Sequence, residues 1–134
     1  MKQKKIMLID DDKIFNYLHL KTLEQIDGNY EIVSYDSAVE AFECLIASAI
    51  EDLPDIIFLD INMPELTGFE LIDMIKDQRN ELLEHLKIVI VTSSLNPYDY
   101  EIQKQYHVIK EFCSKPLNIE SAGNILNALL NKAM

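Results

Sequence analysis

Hydrophobic and polar positions divide this chain into two kinds of segment. Five short apolar runs are separated by longer segments in which apolar residues recur every three or four positions. Three of the runs are nearly continuous aliphatic stretches bounded by polar residues, which is typical of strands buried on both faces of a parallel sheet. The predicted strands are residues 6–9, 30–34, 55–59, 87–91 and 108–113.

The longer segments have the spacing of helices with one apolar face. In the first of them, the residues that share a face are Ile14, Tyr17, Leu18, Leu23 and Ile26. Later segments repeat the pattern over residues 37–50, after Gly68, and from Asn118 onward. The spacing therefore predicts a helix after each strand.

Residues that favour helix starts precede several of these segments. Ser37 followed by Glu40 has the pattern of a capping box. Pro97 suits the first turn of a helix that runs to about residue 106, and Asn118 suits the cap of the last helix. Strand and helix thus alternate five times, which predicts a three-layer α/β domain with a parallel sheet and right-handed crossovers. We expect one domain over residues 1–134, without an output domain.

Composition and charge narrow the classes of partner. The chain has 134 residues, of which 49% are hydrophobic, so it is long and apolar enough to bury a core. Its formal net charge of −11 argues against general binding to nucleic acid or to anionic membranes, because phosphates would be repelled. The charge fits metal cations or basic patches on partner proteins, although an acidic surface also serves solubility alone.

The cysteines and the N-terminal segment indicate where in the cell the protein is located. Cys44 and Cys113 have no metal-ligand spacing, which favours small buried side chains in a reducing compartment. The basic start of the chain leads directly into the first predicted strand, and no run is long enough to span a bilayer. We therefore expect a cytoplasmic protein.

Polar residues with related chemistry follow the predicted strands. In open α/β sheets the ligand crevice lies beyond the carboxyl ends of the strands, so residues at those ends come together although they are distant in sequence. Here these residues are three carboxylates after the first strand, one after the third, a hydroxyl after the fourth and an ammonium group after the fifth. They are Asp10, Asp11, Asp12, Asp60, Thr92 and Lys115.

The carboxylates indicate a divalent cation site. Asp10, Asp11 and Asp60 would form a pocket of hard oxygen ligands suited to Mg²⁺ or Mn²⁺, and the cation would turn their mutual repulsion into affinity. Asp12 is better interpreted as an anion at the N-terminus of the following helix.

A metal site beside a hydroxyl and an ammonium group is suited to phosphoryl transfer. Thr92 and Lys115 could bind the equatorial oxygens of a transferring phosphoryl group. A carboxylate can accept such a group as an aspartyl phosphate. Asp60 is the natural acceptor, because it ends the most apolar central strand and the loop "NMPELTG" after it leaves it accessible.

At these positions the sequence closely resembles the receiver domains of two-component response regulators. The matching segments are "LIDDD", "DIIFLDINMPELTGFEL", "VTSS" and "SKPL", in the family's order and spacing and over essentially the whole chain. The resemblance implies a flavodoxin-like (βα)5 fold with strand order 2-1-3-4-5. It also implies that Asp60 accepts a phosphoryl group from a histidine kinase phosphohistidine.

The resemblance assigns roles to the residues around Asp60. It implies that Asp11, Asp60 and the main-chain carbonyl of Asn62 bind Mg²⁺, with Asp10 assisting through water. Asn62 and Ser94 lie where the family tunes hydrolysis of the phosphoryl group.

The resemblance also implies a conformational switch that responds to phosphorylation. Thr92 and Lys115 would contact the phosphoryl oxygens, Thr92 would move toward the new phosphate, and an aromatic residue matching Phe112 would turn inward. Phe112 replaces the frequent tyrosine and lacks its hydroxyl, and filling of the core is the competing interpretation. The Lys115–Pro116 bond is typically cis in the family.

The leading hypothesis is a stand-alone phosphorylation switch that changes a protein-binding surface. Its expected partners are a histidine kinase or histidine phosphotransfer protein and an unidentified downstream protein. We expect a monomer, with phosphorylation-dependent dimerisation left open. The alternatives are a Mg²⁺-dependent aspartyl-phosphate phosphatase and a phosphorylation-independent interaction module. The first is disfavoured because Asn62 stands where haloacid-dehalogenase-type enzymes need an acid.

The three histidines and a group of tyrosines give weaker indications of function. His19, His85 and His107 share no ligand spacing and are interpreted as exposed or partly buried side chains. Tyr98, Tyr100 and Tyr106 suit half-buried packing near the fourth helix, or a partner surface.

Overall fold

Parallel strands alternate with helices along the part of the chain that the structure, a computed structural model, describes: residues 3–93 and 96–130. The strands are β1 (Lys4–Ile9), β2 (Tyr30–Tyr35), β3 (Ile56–Leu59), β4 (Ile88–Thr92) and β5 (Ile109–Ser114). The helices are α1 (Lys13–Glu24), α2 (Ala38–Ala47), α3 (Gly68–Arg79), α4 (Pro97–Gln103) and α5 (Ile119–Leu129). Short 3-10 turns cover Ile50–Asp52 and Asn80–Glu84.

The strands form one sheet in the order β2-β1-β3-β4-β5, with every pair parallel. Ile9 of β1 lies opposite Leu59 of β3, and Leu59 lies opposite Ile90 of β4. The carboxyl ends of the central strands are therefore aligned at one edge of the sheet. Both the predicted alternation and the predicted strand order are confirmed.

Helices cover both faces of the sheet, and each face has its own apolar core. Along β1, Met7 and Ile9 point to the core shared with α2 and α3, whereas Ile6 and Leu8 point to the core shared with α1 and α5. The alternation follows from the two-residue period of a strand. Because both faces are buried, the central strands are continuously apolar, as their sequences predicted.

Helix starts are held by side-chain caps. Asp12 accepts hydrogen bonds from the backbone of Ile14 at 2.9 Å and of Phe15 at 3.4 Å, which confirms its predicted role at the start of α1. Ser37 accepts from the Glu40 backbone at 3.2 Å, and Asn118 accepts from the Ser121 backbone at 2.8 Å. Such caps satisfy amide groups that have no partner within the helix.

A capping box with both of its bonds starts α3. The Glu70 backbone donates to the Thr67 hydroxyl at 3.1 Å, and the Glu70 carboxylate accepts from the Thr67 backbone at 2.7 Å. This cap fixes the start of the helix that follows the loop after β3.

The face of α1 that packs on the sheet differs from the prediction. Ile14, Tyr17 and Leu18 are exposed, with relative exposures of 70%, 58% and 44%. The buried residues of α1 are Asn16, His19 and Leu23. The expected grouping of apolar residues toward the interior was wrong at the start of α1, because polar backbone groups at the strand ends lie beneath this part of the helix and are satisfied by polar side chains.

The fourth helix is shorter than predicted. It ends at Gln103, and the chain reaches β5 through a turn that contains Tyr106. Tyr106 stacks on Phe69 with ring centroids 5.4 Å apart, whereas Tyr98 and Tyr100 are exposed. Half-buried packing is therefore confirmed for Tyr106 alone of the three tyrosines.

Cys44 and Cys113 are half-buried rather than fully buried. Within residues 3–93 and 96–130, every helix falls short of the length and apolar character that crossing a bilayer requires.

Candidate functional site

Backbone hydrogen bonds position the residues that follow the strands. The Asp10 amide donates to the carbonyl of Tyr35 at 3.1 Å, and the Asp60 amide donates to the carbonyl of Ile9 at 2.9 Å. These bonds extend the parallel ladders by one residue beyond β1 and β3. The first residues after the neighbouring strands are thereby held side by side.

Three carboxylates converge at this edge. Asp10, Asp11 and Asp60 each offer a carboxylate oxygen, and these oxygens all lie within 4.8 Å of one another. Asp10 and Asp60 are buried, whereas Asp11 is exposed. A compact set of carboxylate oxygens with one side open to solvent fits a hard divalent cation that keeps part of its water shell. The donor chemistry therefore suits Mg²⁺ or Mn²⁺.

Lys115 lies against the carboxylates. Its Nζ is 2.5 Å from Oδ2 of Asp10 and 3.5 Å from Oδ1 of Asp60, and its side chain is only 5% exposed. Its amide donates to the carbonyl of Thr92 at 2.8 Å, which joins the loop after β5 to the end of β4. The ammonium group thus bridges two buried carboxylates that would otherwise repel each other.

Both carboxylate oxygens of Asp10 have partners within the protein, which the prediction of a metal-assisting role did not include. Its Oδ1 accepts a hydrogen bond from the Asp12 amide at 2.9 Å, while its Oδ2 receives the Lys115 ammonium group. Asp10 thereby anchors Lys115 beside Asp60.

The ionisation of Asp60 is strongly perturbed. Burial, followed by the negative charge of Asp10, raises the pKa of Asp60 from its ordinary 3.8 to about 6. The charge of Lys115 and a hydrogen bond from the Asn62 amide at 3.4 Å lower the pKa and offset part of this rise. At neutral pH the carboxylate is mainly ionised, but it is more basic than an ordinary aspartate. A perturbed carboxylate with charged neighbours is typical of functional sites.

The predicted switch residues occupy different environments. Thr92 ends β4 and is completely buried. Phe112 in β5 is half-buried and meets the ring of Tyr100 edge-on, with centroids 5.6 Å apart. Phe112 therefore packs against α4, and its predicted role stays a prediction. Ser94 lies outside the described residues.

The bond between Lys115 and Pro116 is cis, as expected from the family resemblance.

Sequence reasoning missed three residues of α1 beside this site. The Asn16 amide nitrogen donates to the carbonyls of Asp10 at 2.9 Å and Tyr35 at 3.2 Å. The Lys115 ammonium group lies 4.4 Å from the centre of the Phe15 ring. His19 is buried, contrary to its interpretation as exposed or partly buried, and it contacts the loop after Pro116. For Asn16 and His19 the available signal was their helical spacing with Leu23.

Comparisons of the sequence with known proteins find a matching family model and similar curated proteins. The family model described as response regulator receiver domain matches residues 6–127. A curated relative, the polar-differentiation response regulator DivK of Brucella ovis, is 30% identical over 116 residues, which cover 87% of each chain.

Two solved structures of response regulators are similar to this chain in both sequence and fold. A two-component response regulator from Cytophaga hutchinsonii is 31% identical, with a TM-score of 0.84 over 98% of this chain and 100% of the other. The phosphorylated cyanobacterial phytochrome response regulator RcpA is 25% identical, with a TM-score of 0.80 over 99% and 98% of the two chains.

Proposed function

This chain belongs to the family of response regulator receiver domains, which act in phosphorylation-dependent signalling, and on this basis we propose that Asp60 accepts a phosphoryl group from the phosphohistidine of a histidine kinase or histidine phosphotransfer protein. The observation that carries the proposal is the convergence of Asp10, Asp11 and Lys115 on the buried Asp60. The phosphorylated form of the relative RcpA, at 25% identity, is in line with it.

In the transfer step, an ionised oxygen of Asp60 forms a bond to phosphorus. The bond between phosphorus and the donor imidazole nitrogen breaks, and that nitrogen keeps the electron pair. Without a bound metal ion the pKa of Asp60 is about 6, so its carboxylate is mainly ionised at neutral pH and can act as the nucleophile.

Lys115 and Thr92 would hold the phosphoryl oxygens. Lys115 already lies 3.5 Å from Asp60, so its charge is placed where negative charge collects during transfer. Asp11, Asp60 and the carbonyl of Asn62, with Asp10 assisting through water, would hold Mg²⁺, which supplies further positive charge to the phosphoryl oxygens.

The product carries about −1.5 to −2 charges on the new group, which changes the electrostatic balance of a buried site. We propose that Thr92 moves toward the phosphoryl group and that Phe112 leaves its edge-on contact with Tyr100. Tyr100 is 48% exposed on α4, so this rearrangement would alter a surface available to a downstream protein.

We further propose that the chain turns over no independent substrate. Asn62, two residues after Asp60, cannot act as a general acid for steady hydrolysis of phosphate esters. The chain would instead support its own phosphorylation and the later loss of the group.

Incubation with acetyl phosphate and Mg²⁺, followed by mass mapping, tests the proposal. We expect one phosphoryl group per chain on Asp60 and none in Asp60→Asn. Asp12→Asn is a matched control, because Asp12 caps α1 and asparagine is an equally good cap. Labelling of another residue in place of Asp60, or undiminished labelling of Asp60→Asn, would contradict it.

A further inference from the structure

The buried face of α1 contacts the loop that carries Lys115. His19 is 3% exposed, and its Nε2 accepts a hydrogen bond from the backbone amide of Leu117 at 3.2 Å. Leu117 follows Lys115 by two residues and is itself buried. This contact joins segments that are 98 residues apart in sequence, so it reflects the tertiary fold rather than local geometry.

A second contact from α1 reaches the side chain of the same lysine. The ring of Phe15, one turn before His19, lies 4.4 Å from Nζ of Lys115. A cation over an aromatic face at this distance is electrostatically attracted to it. The centroids of the Phe15 and His19 rings lie 5.7 Å apart, so the two side chains also pack against each other. α1 therefore contacts both the backbone of the loop and the ammonium group of Lys115.

We propose that His19 is a positioning residue for phosphoryl transfer: by accepting the hydrogen bond of Leu117, its imidazole fixes the loop so that the ammonium group of Lys115 stays between Asp10 and Asp60. This role rests on the function proposed above, because Lys115 matters here through its effect on Asp60.

The contact specifies one chemical form of the imidazole. An acceptor nitrogen must be unprotonated, so the neutral ring carries its proton on Nδ1. Burial lowers the pKa of His19, Asp10 acts in the opposite direction, and the charge of Lys115 lowers the pKa further. The surroundings thus keep the lone pair of Nε2 available. Loss of this acceptor would leave the Leu117 amide buried without a partner, which is costly enough to shift a loop.

The first test compares two substitutions of His19. His19→Leu fills a similar volume but removes the acceptor, whereas His19→Gln supplies a carboxamide oxygen that can accept from Leu117. We expect His19→Leu to slow labelling of Asp60 by acetyl phosphate about tenfold, the equivalent of roughly 1.4 kcal/mol, and His19→Gln to recover most of the rate. Urea unfolding of each variant establishes that the compared proteins are folded. Equal rates for wild type and His19→Leu would overturn the inference.

The second test asks whether His19 acts through Lys115. In a double-mutant cycle, His19→Leu should slow labelling in the wild-type background and change it little in the Lys115→Ala background. If the substitution slows both backgrounds by the same factor, its effect is general destabilisation and the positioning role is wrong.

The third test requires no phosphorylation. NMR of the ring nitrogens of His19 should show a neutral imidazole protonated at Nδ1, with its unprotonated Nε2 coupled to the Leu117 amide. A ring protonated at Nε2 would overturn the inference even if Asp60 is labelled normally. Conversely, failure of the wild-type chain to be labelled while the tautomer is as expected would refute the proposed function and, with it, any role of His19 in transfer.

Discussion

At the scale of single residues, the charge of Asp60 is unfavourable to the folded state when no metal ion is bound. Its pKa of about 6 lies above its ordinary 3.8, so the folded protein binds this proton more tightly than the unfolded chain does. The resulting cost is complete above pH 6, and it disappears as the pH falls toward 3.8. The site is therefore stabilised when the charge of Asp60 is neutralised, by a proton, by a cation or by substitution.

This balance predicts the effect of Asp60→Asn. In EDTA at pH 7.5, the substitution should raise the free energy of unfolding by about 1–3 kcal/mol, because it removes a buried charge beside Asp10. The gain should shrink as the pH is lowered toward 4. Urea denaturation at several pH values measures both effects, and Asp27→Asn, in the exposed loop before β2, controls for the change in net charge. A gain that is constant across this pH range would contradict the assignment.

Lys115 has the opposite role, since it neutralises two buried carboxylates. Lys115→Met should lower the free energy of unfolding by about 3 kcal/mol in EDTA, because it leaves Asp10 and Asp60 buried without their cation. Adding Asp10→Asn to Lys115→Met should restore much of that loss. Urea denaturation of the two single variants and the double variant tests the pairing, and strictly additive losses would show that the two groups do not interact.

At the scale of elements, the close approach of α3 to the end of β3 depends on a glycine. A Cβ on Gly68 would lie 2.7 Å from the backbone carbonyl oxygen of Asp60, and the Gly68 amide donates to the carbonyl of Ile61 at 2.8 Å. The first residue of α3 thus supports the backbone that carries the proposed acceptor. A side chain at this position cannot be accommodated by rotation of a flexible neighbour, because the obstacle is main chain.

Two glycine substitutions should therefore have opposite effects. Gly68→Ala should destabilise the fold by about 1–3 kcal/mol and slow labelling of Asp60, because the backbone must shift. Gly123→Ala, inside α5, meets nothing within 4 Å and should stabilise the fold by about 0.5–1 kcal/mol without affecting labelling. Thermal unfolding and acetyl phosphate labelling measure both. If Gly68→Ala behaved like Gly123→Ala, the close approach would be of no consequence.

The strands could be predicted from the sequence more accurately than the orientation of the first helix. β1, β3 and β4 were predictable because burial on both faces requires a continuous apolar run, and the predicted bounds agree with the structure within two residues. The orientation of α1 was not predictable from its apolar residues, because its first turns bury Asn16 and His19 against backbone groups at the strand ends. A periodicity rule assigns polar residues to solvent and cannot anticipate a polar partner supplied by a distant segment.

At the scale of the whole molecule, the parallel topology accounts for the parts of the site that the sequence predicted. Each strand ends at the same edge, so Asp10, Asp60 and Lys115 could be grouped without knowledge of their distances. What the topology left undetermined was the pairing within the group. That Asp10 is bonded to both Asp12 and Lys115, whereas Asp11 is exposed, depends on side-chain conformations that strand order does not specify.

Because the net charge is −11, Mg²⁺ could stabilise the protein in two ways: by binding at one site, or by screening repulsion over the whole surface. Binding at one site stabilises the folded state by about 1.4 kcal/mol when the free ion is at ten times its dissociation constant. Asp11→Asn removes the exposed carboxylate of the cluster and leaves the charge elsewhere almost unchanged. We expect Mg²⁺ to raise the melting temperature of the wild-type chain in a saturable manner, EDTA to reverse the rise, and Asp11→Asn to lose most of it. NaCl at matched ionic strength measures the screening contribution. If wild type and Asp11→Asn respond equally, the cation acts by screening and the carboxylate cluster is not its binding site.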